Sequence, residues 1–172
     1  MTDYVAPVVG LALGVGLFFT ACGGGEPAAT GDAPAAAQAG QQSSSVDPCA
    51  LVTGAEASEA LGATAGPGER PKEANHPPRM VTCRYTAPRG QGVAVMTVLV
   101  QQSDTPSQAR IGFQSAKEQF PGAEAVPGLG DEAFAMANQL NVLQGTRYLN
   151  ITGDFDLPTA RTLAQRALQR LR

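Results

Sequence analysis

Residues 93–100 (VAVMTVLV) are apolar on both faces of an extended chain and carry no charge. A short, β-branched and aliphatic run of this kind is typical of a strand covered by neighbours. Residues 80–86 alternate between apolar and polar positions, which is the period of a half-buried strand. The Pro- and Gly-rich residues 88–92 between the two stretches predict a turn. We therefore expect residues 93–100 to lie centrally in an antiparallel sheet.

Capping residues and helical spacing predict three helices. Thr53, followed by Glu56, forms a capping box before an alanine-rich stretch that Gly62 ends. Thr105 begins a second helix, which the Pro-Gly pair at residues 121–122 ends. Asp156 caps the third helix, whose apolar stripe consists of Ala160, Leu163, Ala164, Ala167, Leu168 and Leu171.

Three shorter strands are predicted in the second half of the chain, at residues 132–137, 139–144 and 147–152. Gly145 and Thr146 form the turn between the last two. The resulting element order is α-β-β-α-β-β-β-α. This order predicts an α+β fold with a single antiparallel sheet of about five strands and three helices packed mainly on one face.

Composition and charge exclude several classes of function. The formal net charge is −3, so the chain lacks the excess of positive charge on which nucleic-acid binding usually depends. One His and three Cys leave little material for a metal site, and we expect neither a metal nor another cofactor. Aromatic residues make up 5% of the chain and Trp is absent, so the core should consist mainly of Ala, Val and Leu.

The N-terminal segment has the pattern of a bacterial export signal. The apolar residues 8–20 are fewer than the ~20 of a membrane span and fall within the ~7–15 of a signal-peptide core. Phe19-Thr20-Ala21-Cys22 is similar to a bacterial lipobox, in which cleavage precedes the cysteine and the cysteine is lipidated. We expect residues 1–21 to be a lipoprotein signal peptide and Cys22 to carry the lipid. The alternative is an uncleaved anchor that spans the membrane with residues 5–22.

Residues 22–46 connect this signal to the rest of the chain. They are rich in Gly, Ala, Pro, Gln and Ser, with no aromatic residue and no sustained apolar period. Such a segment buries too little apolar surface to offset the entropy lost on ordering, so we expect a disordered tether. The domain then comprises residues 47–172, on the extracytoplasmic side of the membrane.

Two cysteines, Cys49 and Cys83, remain once Cys22 is assigned to the lipid. An even pair in an exported chain favours a disulfide, because disulfides persist in oxidising compartments. The alternative is two free buried thiols, which would suit a cytosolic protein and conflicts with the export signal.

Few other residues have the pattern of a chemical site. His76 lies in a Pro-rich loop with no second His or nearby Cys, so we interpret it as a surface histidine. Residues 128–132 (GLGDE) lack the Lys-Ser/Thr of a P-loop. We interpret them as a tight turn in which Asp131 bonds backbone amides, with partner or ligand binding as the alternative. Asp154 and Asp156 lack the other ligands of a calcium loop, and Asp156 is accounted for as a cap.

Several short motifs occur together in the domain: DPCALVT at 47–53, CRY at 83–85 and VPGLGDEAF at 126–134. With the lipobox, the tether and the closing amphipathic helix, they make the chain resemble small bacterial lipoproteins that carry the domain of unknown function 3558. The resemblance covers about residues 47–172. It implies a secreted α+β domain with Cys49 bonded to Cys83. It implies no catalytic residue, because no activity is established for that family.

These features predict a non-enzymatic lipoprotein domain, anchored to the bacterial cell membrane through Cys22, that binds another macromolecule or serves as an envelope accessory. Its expected partners are the membrane and a protein, and not nucleic acid. The alternative is a carrier of a small apolar ligand or lipid between the sheet and its helices. Its motivation is the small residues Ala109, Gly112 and Ala116. A pocket of ~300 Å³ or more in the structure would favour the carrier.

Overall fold

The chain folds into helices and antiparallel strands in the predicted alternation. The structure, a computed structural model, describes residues 46–72 and 79–171. Within these residues the elements are, in chain order, α1 (Pro48–Leu51), α2 (Gly54–Leu61), β1 (Met80–Arg89), β2 (Gly92–Gln102), α3 (Pro106–Glu118), β3 (Glu124–Ala125), β4 (Glu132–Met136), β5 (Gln139–Gln144), β6 (Arg147–Gly153) and α4 (Leu157–Arg170).

The strands form one sheet in the order β1-β2-β6-β5-β4-β3, and every neighbouring pair is antiparallel. β2 pairs with β1 over residues 92–101 and with β6 over residues 96–102. The predicted α+β fold with a single antiparallel sheet is therefore confirmed. The expected central position holds for residues 96–100, whereas residues 92–95 extend beyond the end of β6.

The described residues contain one helix and one strand more than the sequence predicts. α1 is a single turn of four residues and β3 has two residues, so neither is long enough to show a period. Asp47 caps α1 by accepting a hydrogen bond of 3.0 Å from the backbone N–H of Cys49. β3 exists because Glu124 and Ala125 pair with Ala135 and Phe134 of β4. Both elements depend on contacts with the rest of the fold.

The two faces of the sheet are covered by different helices. α1, α2 and α4 pack on one face and form the larger core with it. α3 lies on the opposite face, where the Phe113 ring is 5.1 Å from that of Phe134 and 6.0 Å from that of Tyr148. The expected packing mainly on one face is confirmed for α1, α2 and α4. α3 differs because its buried residues, Ala109 and Phe113, pack on strand side chains that point to the opposite face of the sheet.

The predicted N-caps begin the three longer helices. The Thr53 hydroxyl accepts from the backbone N–H of Glu56 at 3.2 Å, while the Glu56 carboxylate accepts from the backbone N–H of Thr53 at 2.8 Å. This is the predicted capping box. Thr105 caps α3 and Asp156 caps α4 in the same way, through the backbone N–H three residues on.

Glu56 also joins α2 to the last turn of α4. Arg170 donates one hydrogen bond of 2.7 Å to each carboxylate oxygen of Glu56, and another of 2.7 Å to the Leu51 carbonyl. The Arg170 hydrogen bond is the main reason why the pKa of Glu56 falls from 4.5 to about 2. The Glu56 side chain is 11% exposed and that of Arg170 36%, so solvent screens the pair only in part. Arg170 thereby connects α4 to both α1 and α2.

We expect Glu56→Gln to lower the free energy of unfolding by about 2 kcal/mol at neutral pH, after a discount for the partial exposure of Arg170. The folded-state pKa of Glu56 lies below its ordinary value of 4.5, so ionised Glu56 stabilises the fold above that pH. The contribution disappears as the pH falls toward about 2. Urea unfolding across this range should show a flatter pH dependence in the variant than in the parent.

Glu59→Gln is the matched control, because it removes the same charge one turn away. The Glu59 side chain is 73% exposed and contacts Arg166 at 3.4 Å, so we expect little change in stability. Equal losses from the two substitutions at neutral pH would contradict the structural role of the Glu56–Arg170 pair.

Candidate functional site

Two residues singled out in the sequence, Cys22 and His76, lie outside the residues that the structure describes. The signal peptide, the lipid on Cys22, the tether and the surface position of His76 therefore stay predictions. Over residues 46–72 and 79–171, no helix has the length and apolar character that crossing a membrane requires.

The predicted disulfide joins Cys49 of α1 to Cys83 of β1. The two Sγ atoms are 2.03 Å apart and the two Cα atoms 5.1 Å apart. The Cys83 side chain is fully buried. The cysteines are separated by 34 residues, for which the chain-entropy model gives about 4 kcal/mol of stabilisation. The bond attaches α1, a turn too short to persist alone, to the sheet.

A segment at residues 66–69 covers this disulfide. Glu69 exchanges two backbone hydrogen bonds with Arg84 of β1, at 2.8 and 2.9 Å, and the N–H of Gly66 donates to the Thr86 carbonyl at 2.9 Å. At Gly68, between Gly66 and Glu69, the segment lies too close to β1 for a side chain to fit. A Cβ atom there would lie 2.7 Å from Cys83 Sγ and 2.8 Å from the Tyr85 ring. The segment therefore covers the Cys83 sulfur and pairs with the outer edge of β1.

Tyr85 holds the backbone of α1 and of Val52, the residue that follows it. Its hydroxyl donates to the Val52 carbonyl and lies 3.1 Å from the Cys49 carbonyl. Burial, together with the negative charges of Asp47 and Glu56, raises the pKa of Tyr85. The phenol therefore stays protonated and remains a donor. Its shifted pKa follows from its position in the fold.

The glycine-containing loop around residues 126–132 is a tight turn held by neighbouring elements. Gly128 and Gly130 have φ angles of +74° and +60°, which glycine adopts without strain. The Asp131 carboxylate accepts from the backbone N–H of Gly145 at 2.6 Å. We expected Asp131 to bond amides of its own loop, but its partner is the β5–β6 turn. A cleft of about 230 Å³ lies between this loop and Lys117 of α3.

The two acidic residues after β6 have structural partners. Asp154 pairs with Arg89 of β1. Asp156 caps α4, and hydrogen bonding to Thr159 lowers its pKa. Among the described side chains, no three His, Cys, Asp or Glu residues are placed together to bind a metal ion.

A row of polar side chains lies on the α3 face of the sheet. Asn141 of β5 is fully buried, and its Oδ1 accepts from the Tyr148 hydroxyl at 2.6 Å and from the Asn150 amide at 2.7 Å. The Thr152 hydroxyl donates to Asn150 at 2.9 Å. Burial raises the pKa of Tyr148 to about 12, so this phenol also remains a donor. Asn141 Nδ2 has no hydrogen-bond partner within the described part of the chain.

A cleft opens where β6 ends and β2 continues. β6 pairs with β2 as far as Gly153, opposite Met96, whereas β2 begins at Gly92. The space beside residues 92–95, which we call the β2 bay, has a volume of about 300 Å³. Val93 is 64% exposed at this place. The bay is lined by Arg89, Val93, Val95, Thr97, Asn138, Thr152 and Asp154.

The sequence does not predict the β2 bay, because residues 93–100 have the pattern of a strand that is covered along its whole length. The available signal was the difference in length between this stretch and the predicted strand at residues 147–152. A longer strand next to a shorter one must overhang, but the sequence does not show which strands are neighbours.

The small residues of α3 do not share a cavity. Ala109 is buried against the cluster that contains Phe113, Phe134 and Leu143. Gly112 is exposed, and a Cβ atom on it would meet no atom within 4 Å. The β2 bay reaches the size expected of a carrier pocket, but its lining contains no helix residue, so it does not lie between the sheet and a helix. The carrier function stays a prediction.

Comparison of the chain with protein-family models, with curated proteins and with solved structures finds no match. The resemblance to lipoproteins that carry the domain of unknown function 3558 stays a prediction based on its motifs.

We expect Gly68→Ala to destabilise the oxidised protein by about 1–3 kcal/mol, the usual effect of an extra methyl group in a packed region. Displacement of the covering segment should also make the disulfide faster to reduce. Gly66→Ala is the control, because a Cβ there would lie 3.8 Å from the nearest atom, the Thr86 carbonyl oxygen. Thermal unfolding and the rate of reduction by dithiothreitol measure both effects. Identical behaviour of the two variants would contradict this packing.

Thiol counting tests the disulfide itself. In a Cys22→Ala chain denatured without reductant, we expect no thiol to be alkylated, and two to be alkylated after reduction. Cys49→Ser in the same background should release one thiol, that of Cys83, before reduction. Intact-mass spectrometry counts the additions, and two alkylated thiols before reduction would contradict the bond.

Proposed function

We propose that this chain is a lipid-anchored binding module on the extracytoplasmic side of the bacterial cell membrane. In this proposal the lipid on Cys22 holds the protein in the membrane and residues 22–46 form the tether. The domain of residues 47–172 binds a partner and catalyses no reaction.

The Cys49–Cys83 disulfide is the observation that carries the proposal. Structural disulfides persist in oxidising compartments and are rare in the cytosol. This one joins α1 to β1 with Cys83 fully buried, which is the position of a structural disulfide. The lipobox gives the remaining cysteine, Cys22, a separate role, and the two assignments support one another.

The structural roles of the side chains with shifted pKa values support the proposal that the domain binds a partner and does not catalyse a reaction. Groups with shifted pKa values often mark active sites. Among the described residues, the shifted carboxylates and phenols, and the shifted guanidinium, make contacts that hold the fold together. They are Asp47, Glu56, Tyr85, Tyr148, Asp156 and Arg170. Helix caps, an interhelical ion pair and buried phenols account for these shifts without a reacting substrate.

The motif resemblance described above supports the same proposal. It associates the DPCALVT and VPGLGDEAF stretches with secreted lipoproteins. It implies no particular ligand or partner.

We expect Cys22→Ala to abolish lipidation and to move the protein out of the membrane fraction. The full chain, with its N-terminal segment, is expressed in a bacterial host that is fed an alkyne analogue of palmitate. Lipidated protein is then detected by azide coupling, and fractionation reports its location. The parent chain should be labelled and membrane-bound.

Cys49→Ser is the matched control, because it removes a cysteine without changing the lipobox and should keep the label. A label retained by Cys22→Ala would contradict lipidation at this residue. An unlabelled parent chain that stays in the membrane with residues 1–21 still attached would instead identify an uncleaved anchor.

A further inference from the structure

The register of the sheet determines which backbone groups point into the β2 bay. Arg84 of β1 makes both of its backbone hydrogen bonds to Glu69, on the side away from β2. In an antiparallel pair, the backbone N–H and C=O groups of two directly opposite residues either bond to each other or both point away from the partner strand. These two arrangements alternate along the strand. Thr97 lies opposite Arg84, so Thr97, Val95 and Val93 direct their N–H and C=O groups away from β1.

Of these three residues, Thr97 has a partner on the far side, Thr152 of β6. The described strands supply no residue opposite Val95 or Val93 on that side. The two ends of the sheet offer less: residues 66–69 already pair with Arg84 and Thr86 of β1, and the terminal strand at the other end, β3, has only two residues. An exposed edge with unpaired backbone groups is a template for a further strand.

We propose that the overhang of β2, residues 92–95, binds an extended peptide of a partner protein by strand addition in the β2 bay. The main chain of the peptide pairs with the N–H and C=O groups of Val93 and Val95. The cleft of about 300 Å³ beside them receives peptide side chains. The inference relies on the proposed function for its binding role and is independent of the lipid anchor.

The lining of the bay indicates the chemistry of the peptide. Val93 and Val95 present an apolar surface, and the neighbouring Thr97 and Thr152 are polar but uncharged. The charges of Arg89 and Asp154 neutralise each other as an ion pair. The site therefore favours an uncharged segment with β-branched side chains next to the two valines.

The size of the overhang favours a peptide over a second copy of this chain. Residues 92–95 extend for about 13 Å at the usual rise of a strand. Pairing two such edges buries far less than the ~800 Å² per partner of a stable protein interface. Strand addition obtains its affinity from main-chain hydrogen bonds, and so short a ladder predicts a dissociation constant of about 0.1–1 mM.

The experiment uses the full oxidised chain as the bacterial host yields it, from membranes in detergent or from the soluble fraction. Random heptapeptides are displayed in many copies per particle, so that avidity retains a weak contact, and are selected on the immobilised chain. Enriched sequences are then synthesised and titrated. Hydrogen–deuterium exchange then locates the protected amides. We expect the peptides to protect the amides of Val93 and Val95.

Val93→Pro and Val93→Thr form the matched pair of variants. Val93 lies opposite Pro88 and turns away from β1, so proline removes the N–H that faces the bay and spares the β1–β2 ladder. Gly92, the preceding residue, tolerates the restriction that proline imposes. Threonine keeps both the N–H and the β-branching. We expect binding to weaken about tenfold or more in Val93→Pro and to change less than about twofold in Val93→Thr.

Selection of no peptide, protection of amides elsewhere, or equal binding by Val93→Pro would overturn the inference. Protection of the same amides by dimerisation without peptide would replace the peptide with a second copy. Should Val93→Pro fail to fold, the exchange map of the parent chain decides. Peptide binding by an unlabelled, soluble parent chain would refute the lipid anchor alone, whereas a lipidated chain that selects no peptide would refute this inference alone.

Discussion

The disulfide between Cys49 and Cys83 holds in place a four-residue helix on which the first strand and the last helix converge. α1 cannot persist by itself, because a single turn does not offset the cost of helix nucleation. Once it is attached to β1, its carbonyl groups accept hydrogen bonds from Tyr85 and Arg170. Arg170 in turn holds Glu56, the residue that closes the capping box of α2. One covalent bond thus positions the junction through which three helices share the larger face of the sheet.

The two faces of the sheet differ in what they contribute. One face is occupied by the larger core under α1, α2 and α4, whereas α3 covers part of the other. The side chains with shifted pKa values lie at helix caps, at the α1–α2–α4 junction or in the polar row beside α3, and they serve the fold there. Within the described residues, the overhang of β2 past β6 is a feature that these contacts leave unused. A rigid strand edge beside a cleft suits recognition, because little order has to be gained on binding.

Much of the architecture follows from short stretches of sequence. Thr53 with Glu56, Thr105 and Asp156 marked the helix starts, and Gly145 with Thr146 marked a hairpin turn, because caps and turns are formed by residues within a few positions of one another. α1 and β3 escaped prediction because elements of four and two residues show no period. The hydrogen bond between Asp131 and Gly145 was also not predicted, because the two residues are 14 positions apart in the sequence.

The sequence by itself determined the alternation of helices and strands and the helix caps, and its predicted export signal favoured a bond between Cys49 and Cys83. These depend on local spacing, which the order of residues states directly. Only the tertiary structure decided that α3 lies on the face opposite the other helices and that Arg170 bonds to Glu56, 114 residues earlier in the chain. It also decided that β2 extends past the end of β6. Such relations depend on which distant surfaces are complementary when the sheet closes, and a periodic pattern states which face is apolar without stating what covers it.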